Sequence, residues 1–231
     1  NNDIAYLNST DLTNFIIHLE DQLGYQISSP IMKDTILTKI LLNNSDVPLH
    51  VFDMAIKTLL ATKENQEIEF KPYFLETKRQ NNTGKMQTQA ELDLIILKEI
   101  TGFMNANDGV LLIGVLDGQN TKSKNDEIIG IDDEMLFNGC TRDEYELKIT
   151  ERCINAFGAA SAGLITPKLE IVDGKTVCRI EIKKSPEPIY LKKPKKGWGD
   201  LKGDGNYVRR DSTSRLFDPR DWQDHCRQNF P

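Results

Sequence analysis

Four residues have side chains whose types and spacing could do chemistry. Glu64 precedes a short apolar strand, Glu69 lies on it in IEFK, Lys71 follows two positions later, and Asp117 closes the distant run VLLIGVLD. If the two strands are neighbours, their ends bring the three acids together. Clustered carboxylates repel one another unless a cation joins them, and hard oxygen ligands suit Mg²⁺ or Mn²⁺. An ion so held can activate water and neutralise a leaving oxygen, as phosphodiester hydrolysis requires. Lys71 shares a strand face with Glu69, where it would orient water or meet a phosphate. A second role is open to the same acids, because carboxylates near strand ends are commonly solvated or paired with a nearby Lys or Arg.

The elements that must position these residues are legible in the hydrophobic pattern. In AELDLIILKEITGFM, Leu92, Ile95, Ile96, Ile100 and Phe103 recur at helical spacing, and NANDG supplies a stop and turn. VLLIGV, Val110 to Val115, is a nearly continuous apolar run, as in a strand buried on both faces. IIGI reads as a short strand and RDEYELKITERCINAF as a second amphipathic helix. KLEIVDGKTVCRIEIKK reads as a hairpin turning at Asp173 and Gly174. YVRR predicts a further strand, and Asp218 with Pro219 fits the N-cap and first position of a closing helix. The polar stretches LETKRQNNTGKMQTQ, expected to be a mobile loop, and GQNTKSKNDE lack periodicity.

The expected fold class is α+β, a mixed β-sheet backed by two main helices and preceded by a small all-helical segment. Three helical runs fill that segment, the last containing Phe52, Met54, Leu59 and Leu60. The expected division is residues 1–62 for the segment, 63–217 for the sheet domain and 218–231 for a closing helix and tail.

Composition narrows the function classes. The chain carries a formal charge of −6, yet Lys183 to Arg210 alone has nine Lys and Arg against three acids. A local basic stripe on an acidic body can bind phosphate, although a solvated lysine-rich loop reads the same way. No apolar run approaches the roughly 18 residues of a membrane span, and no signal peptide opens the chain, so the cytoplasm is the expected location. The four cysteines, Cys140, Cys153, Cys178 and Cys226, form no CxxC pair, and the three histidines are scattered, so free thiols and no structural zinc are expected. GVLLIGVLDG lacks both a GxxxxGK[ST] loop and a GxGxxG helix opening, and no Ser or Cys sits at a strand-to-helix elbow.

Taken in order, EIEFK, GFMNANDGVLLIGVLDG, IIGI, KKSPEPIYL and NYVRRDSTS resemble the Schlafen AlbA-like domain family over about Glu64 to Arg215. The sequence departs from the family pattern where Asp108 precedes Gly109, where Leu116 replaces the first acid of an Asp-Asp pair, and where Asp211 stands in place of a common glycine. The resemblance implies a nucleic-acid-binding fold, in bacteria mostly DNA-binding or regulatory. In animal Schlafens a related core cleaves tRNA and rRNA with three carboxylates and a divalent metal. It assigns that role to Glu64, Glu69 and Asp117, with Mg²⁺ or Mn²⁺ as cofactor, and leaves Glu67 as an exposed bystander. Animal cores have two lobes that form a positive horseshoe around RNA, so a homodimer is expected to supply the second.

Substrate contact would fall to Lys183, Lys184, Lys192, Lys193, Lys195, Lys196, Arg209 and Arg210, with Tyr190 and Trp198 available to stack on unpaired bases. Three functional readings stay open. The chain is a metal-dependent endonuclease favouring RNA over duplex DNA, a non-catalytic DNA- or RNA-binding module in which Glu69 forms a structural ion pair, or a protein interaction platform.

Overall fold

The most apolar stretch of the chain decides the layout. Val110, Leu111, Leu112 and Ile113 have no exposed surface, as the middle strand of a sheet covered on both faces requires. The computed structural model describes residues 51–77, 86–118, 126–192 and 203–230, and in it these four residues lie in β2 (Gly109–Ile113). On one side β2 pairs in parallel with β1 (Ile68–Lys71). On the other it pairs antiparallel with β6 (Lys175–Ile182), which in turn pairs antiparallel with β5 (Ile165–Val172). The sheet is therefore mixed, in the order β1-β2-β6-β5, and the fold is α+β as expected.

Two 16-residue helices, α2 (Gln89–Met104) and α4 (Arg142–Phe157), cover one face of this sheet. Each starts at a threonine that caps a backbone N–H while a glutamate three residues on reaches back, Thr88 with Glu91 and Thr141 with Glu144. Ile96, Ile100 and Phe103 of α2 and Tyr145, Ile149 and Cys153 of α4 pack with Leu111, Ile113, Cys178, Ile180 and Ile182 in one core. Val110 and Leu112 alternate with these and face the other way, beside their register partners Ile68 and Phe70. The predicted hairpin joins β5 and β6, with Asp173 at φ 50° and Gly174 at φ 76°, the two positive angles of a tight turn matched to strand twist.

VLLIGV is not one strand. Gly114 takes φ 93° and breaks the run. Val115–Leu116 then forms β3, which pairs with β4 (Glu127–Ile128) in a separate two-stranded sheet. A Cβ on Gly114 would meet the Gly130 carbonyl carbon at 3.1 Å, so the two glycines allow the chain segments to cross closely. This break sets the direction in which Asp117 leaves the sheet.

Three short elements carry no strong sequence signal: α3 (Asp132–Phe137), α5 (Ala159–Ala162) and β8 (Thr213–Phe217). β8 pairs with β7 (Asn206–Arg210), and this hairpin packs on α2. The closing helix, α6 (Pro219–Asn229), is capped by Asp218 with Pro219 first, as expected.

The chain divides into compact units Asn1–Ala55 and Ile56–Pro231. Of the first, residues 51–55 are described and include a 3₁₀ turn, Val51–Asp53. The helices predicted before residue 51 lie outside the described residues, as do 78–85 and 119–125 within the two predicted loops. α1 (Ile56–Thr62) belongs to the second unit. No described helix is long and apolar enough to cross a membrane.

The chain leaving β1 is held by a buried acid. Glu134 of α3 accepts hydrogen bonds from the backbone N–H groups of Phe74 at 3.1 Å and Leu75 at 2.7 Å, and from the Tyr145 hydroxyl at 2.7 Å. Burial outweighs these donors and pushes its carboxyl up to about 7. A carboxyl raised in the folded state stabilises most below its unfolded pKa, and that contribution is lost as pH rises through the folded value. Glu134→Gln keeps an acceptor for both N–H groups and removes the titration. Urea unfolding should therefore show wild-type stability declining between pH 4.5 and about 7 relative to this variant.

Candidate nucleic-acid interface and buried carboxylates

Strand alternation separates the β1 side chains into two sets. Ile68 and Phe70 face the apolar side, so Glu69 and Lys71 fall on the side of α2 and β7. Glu69 is buried there. Arg209 of β7 places Nη1 2.6 Å from Glu69 Oε2 and 3.3 Å from Glu99 Oε2. The same guanidinium donates to the Asn65 carbonyl from Nε at 3.0 Å and Nη2 at 2.6 Å, and to the Ile68 carbonyl from Nη2 at 2.7 Å. It also lies over the Phe103 ring, 4.4 Å from its centre. Glu69 Oε2 meets Arg209 as an ion pair without an aligned hydrogen bond.

Lys71 completes the network. Its ammonium hydrogen-bonds Glu69 Oε1 and stands 3.7 Å from Glu99 Oε1. Burial pulls its pKa down, but Glu69 and Glu99 outweigh burial, and the net shift is upward. Lys98 adds a third cation, 3.4 Å from Glu99 Oε1, so two buried acids are neutralised by three protein cations. Close packing makes this possible: a Cβ on Gly102 of α2 would stand 2.2 Å from Ser214 Oγ of β8, so only glycine lets the hairpin approach the helix.

Glu64 stands beside this network. Lys63 turns the chain with φ 64°. Asn65 Oδ1 then accepts from the N–H groups of Glu67 at 2.7 Å and Ile68 at 3.1 Å. Glu64 Oε1 accepts the Phe70 N–H at 2.8 Å. Burial first, then repulsion from Glu69 and more weakly from Asp117, pushes its carboxyl up to about 7, against the opposing effects of the Phe70 N–H and Lys71. Two of the expected acids, Glu69 and Asp117, therefore act electrostatically on the third. Among the described residues, however, no three His, Cys, Asp or Glu side chains are placed to hold a metal ion. The donor set as folded does not fit an ion bound by three carboxylates, because both Glu69 oxygens are met by Lys71 and Arg209. The ion pair, the second role open to Glu69, is the arrangement observed. Glu67 is exposed.

The basic stripe divides the same way. Arg209, expected at the phosphate-binding surface, has a wholly buried side chain. The period of β7 turns it inward and leaves Arg210 exposed. Lys183 and Lys192 are exposed and Lys184 is half-buried. Tyr190 is 52% exposed. Lys193, Lys195, Lys196 and Trp198 lie outside the described residues.

Sequence reasoning missed the cleft that Arg210 lines. Next to Arg210 a polar cleft of about 360 Å³ lies between the Gln66 loop, the Asn107 turn, β7 and α6. His225 forms part of its wall. One ring nitrogen, Nε2, donates to the Asn105 carbonyl at 2.7 Å, and Nδ1 is 3.1 Å from the Asn229 amide. Burial, then Arg210 and Lys184, lower its pKa, against the Asn105 bond. Around it stand Phe217, Trp222 and Phe230. Arg210 lies over Phe217 at 5.2 Å and Lys184 over Phe230 at 5.6 Å, so the two cations flank one aromatic group. Asn105 is itself buried, donating to the Ile189 and Tyr207 carbonyls and accepting the Ile189 N–H, each at 2.8 Å. The helical spacing of Trp222, His225, Cys226 and Asn229 is the signal that could have revealed this wall.

The two neighbouring arginines should separate cleanly in stability. Arg209→Ala leaves Glu69 and Glu99 buried with only the half-buried Lys71 and Lys98 beside them, and should cost about 3–5 kcal/mol. Arg210→Ala should leave the urea midpoint almost unchanged.

The model of the Schlafen, AlbA_2 family matches residues 64–218, from the first candidate acid to the cap of α6. No curated protein matches. Among solved structures, the DIP2311 protein of Corynebacterium diphtheriae is similar, with 16% identity and a TM-score of 0.47 over 76% of this chain. This chain spans 28% of that protein's length. The N-terminal domain of a RecG-related protein from Nitrosomonas europaea is 19% identical, with a TM-score of 0.42 over 71% of this chain and 92% of that one. With the family model matching well over half of its length, the chain belongs to the Schlafen AlbA_2 family.

Proposed function

We propose that the chain is a nucleic-acid-binding module whose contact face is the cleft beside Arg210. The observation that carries this reading is the convergence of Arg210 and Lys184, from separate segments, on the aromatic group around His225. Lys183 and Lys192 are also exposed, on the segment that carries Lys184. Glu69 and Glu99 have their charge met internally by Arg209, Lys71 and Lys98, which leaves Asp211 as the acid lining the cleft. Family membership points the same way. In this reading RNA or DNA is held through its backbone, and a homodimer would present two such faces to one ligand.

A second reading is divalent-metal-dependent cleavage. It is favoured by the repulsion that Glu69 and Asp117 exert on Glu64, which Mg²⁺ or Mn²⁺ would relieve. Glu64, Glu69 and Asp117 would hold the ion and Lys71 would meet phosphate. Glu69 would first have to exchange its protein cations for it.

Two measurements test these readings. In fluorescence anisotropy with tRNA, single-stranded DNA and duplex DNA, Lys184→Gln with Arg210→Gln should weaken binding and lower the slope of log K against log salt by about one to two. Absence of wild-type binding at low salt sinks the module. Cleavage is best tested with Glu64→Gln and Asp117→Asn, since altering Glu69 strips Arg209 of its partner. Wild-type cleavage that requires Mn²⁺, stops with EDTA and is lost in both variants would favour the nuclease; no cleavage of tRNA, rRNA or DNA leaves the module.

A further inference from the structure

The cleft has a chemistry more specific than a positive surface. Its lining carries the amides of Gln66 and Asn107 together with Arg210, Asp211 and His225, while the Asn229 amide nitrogen is already held by His225. An amide offers a donor and an acceptor side by side, the complement of the edge of a nucleobase. Its volume of about 360 Å³ falls at the small end of the roughly 300–1,000 Å³ usual for ligand pockets.

The walls are fixed before any ligand arrives. Asn65, next to Gln66, has its carbonyl gripped by Arg209. Asn105, two residues before Asn107, is tied to Ile189, Tyr207 and His225. On the far side, the Asp108 carboxylate accepts the Lys184 N–H at 2.7 Å, which joins the Asn107 turn to that segment. Such preorganisation lowers the ordering cost of binding. Asp211, in a left-handed conformation with φ 57°, ends β7 and puts one acid on the rim. That acid repels phosphate locally, which leaves Arg210 as the cation of the lining available to a backbone phosphate.

Resting on the nucleic-acid-binding reading, we propose that the cleft accepts one unpaired nucleotide, its base against the Gln66 and Asn107 amides and its phosphate on Arg210. A paired base keeps its hydrogen-bonding edge inside the duplex and cannot enter a concave wall, so the site selects single-stranded or extruded nucleotides. The amides supply the selection and Arg210 the affinity.

The test uses the full chain and a charge-neutral double variant, Gln66→Ala with Asn107→Ala, both at exposed positions. Binding of an unstructured ten-nucleotide RNA should weaken by about tenfold, as lost hydrogen bonds of about 1 kcal/mol or so would give. Binding of a duplex of equal charge and the salt slope should be unchanged. In parallel, uridine and adenosine 5′-monophosphates should shift the His225 ring signals of the wild type, while inorganic phosphate alone should not. Equal wild-type affinity for single strand and duplex, or a variant that loses both equally, overturns the inference while leaving nucleic-acid binding intact. Absence of binding to every nucleic acid overturns both.

Discussion

The architecture of this protein turns on one buried guanidinium. Arg209 arrives on β7 and contacts Glu69 on β1, Glu99 on α2 and two carbonyls at the edge of β1. These are segments that the sheet ladder alone does not connect, since β7 pairs with β8 and not with the main sheet. Burying charge is expensive, and a paired interior charge is weak evidence of net stability. Its contribution is directional: an apolar contact would tolerate a shifted hairpin, whereas five polar contacts from one planar group fix its position along the strand. The cleft inherits that precision, because Gln66 and Arg210 each adjoin a residue of the network.

Much of the fold is visible in the sequence, and the reason is periodicity. Helix α2 repeats apolar residues at helical spacing for 16 positions, and the Asp173 and Gly174 turn uses residues that tolerate positive φ. β2 is visible as an apolar run, but its end is not. Gly114 within VLLIGV looks like any small residue in a strand, and what makes it a break is the crossing of Gly130 from a segment sixteen residues on. The short elements α3 and β8 hold too few residues to express a period.

The site was legible in its parts and not in its partnerships. Glu64 and Glu69 stand out by spacing from Phe70 and Lys71, and Asp117 reaches Glu64 through a weak repulsion. Which cation meets Glu69 could not be read, because Arg209 and Arg210 are adjacent and alike in type. Only the alternation of β7 against α2 distinguishes them, sending one to Phe103 and the other to the surface. His225 was overlooked for a related reason: α6 spacing shows its local neighbours Trp222 and Asn229, but its partners Asn105 and Lys184 come from distant segments that no local pattern announces.

The same arginine sets the terms on which any metal chemistry could operate. A divalent ion at Glu69 would compete with Arg209 and Lys71 for the same two oxygens, and displacing either leaves a cation in a dry interior. Metal affinity and fold stability are therefore opposed at this residue, whereas at Glu64 they are aligned, since an ion there would relieve repulsion that the fold already bears. Nucleic-acid binding faces no such conflict, because Arg210 and Lys184 can meet a phosphate without loosening the ion pairs that hold β1, α2 and β7 together.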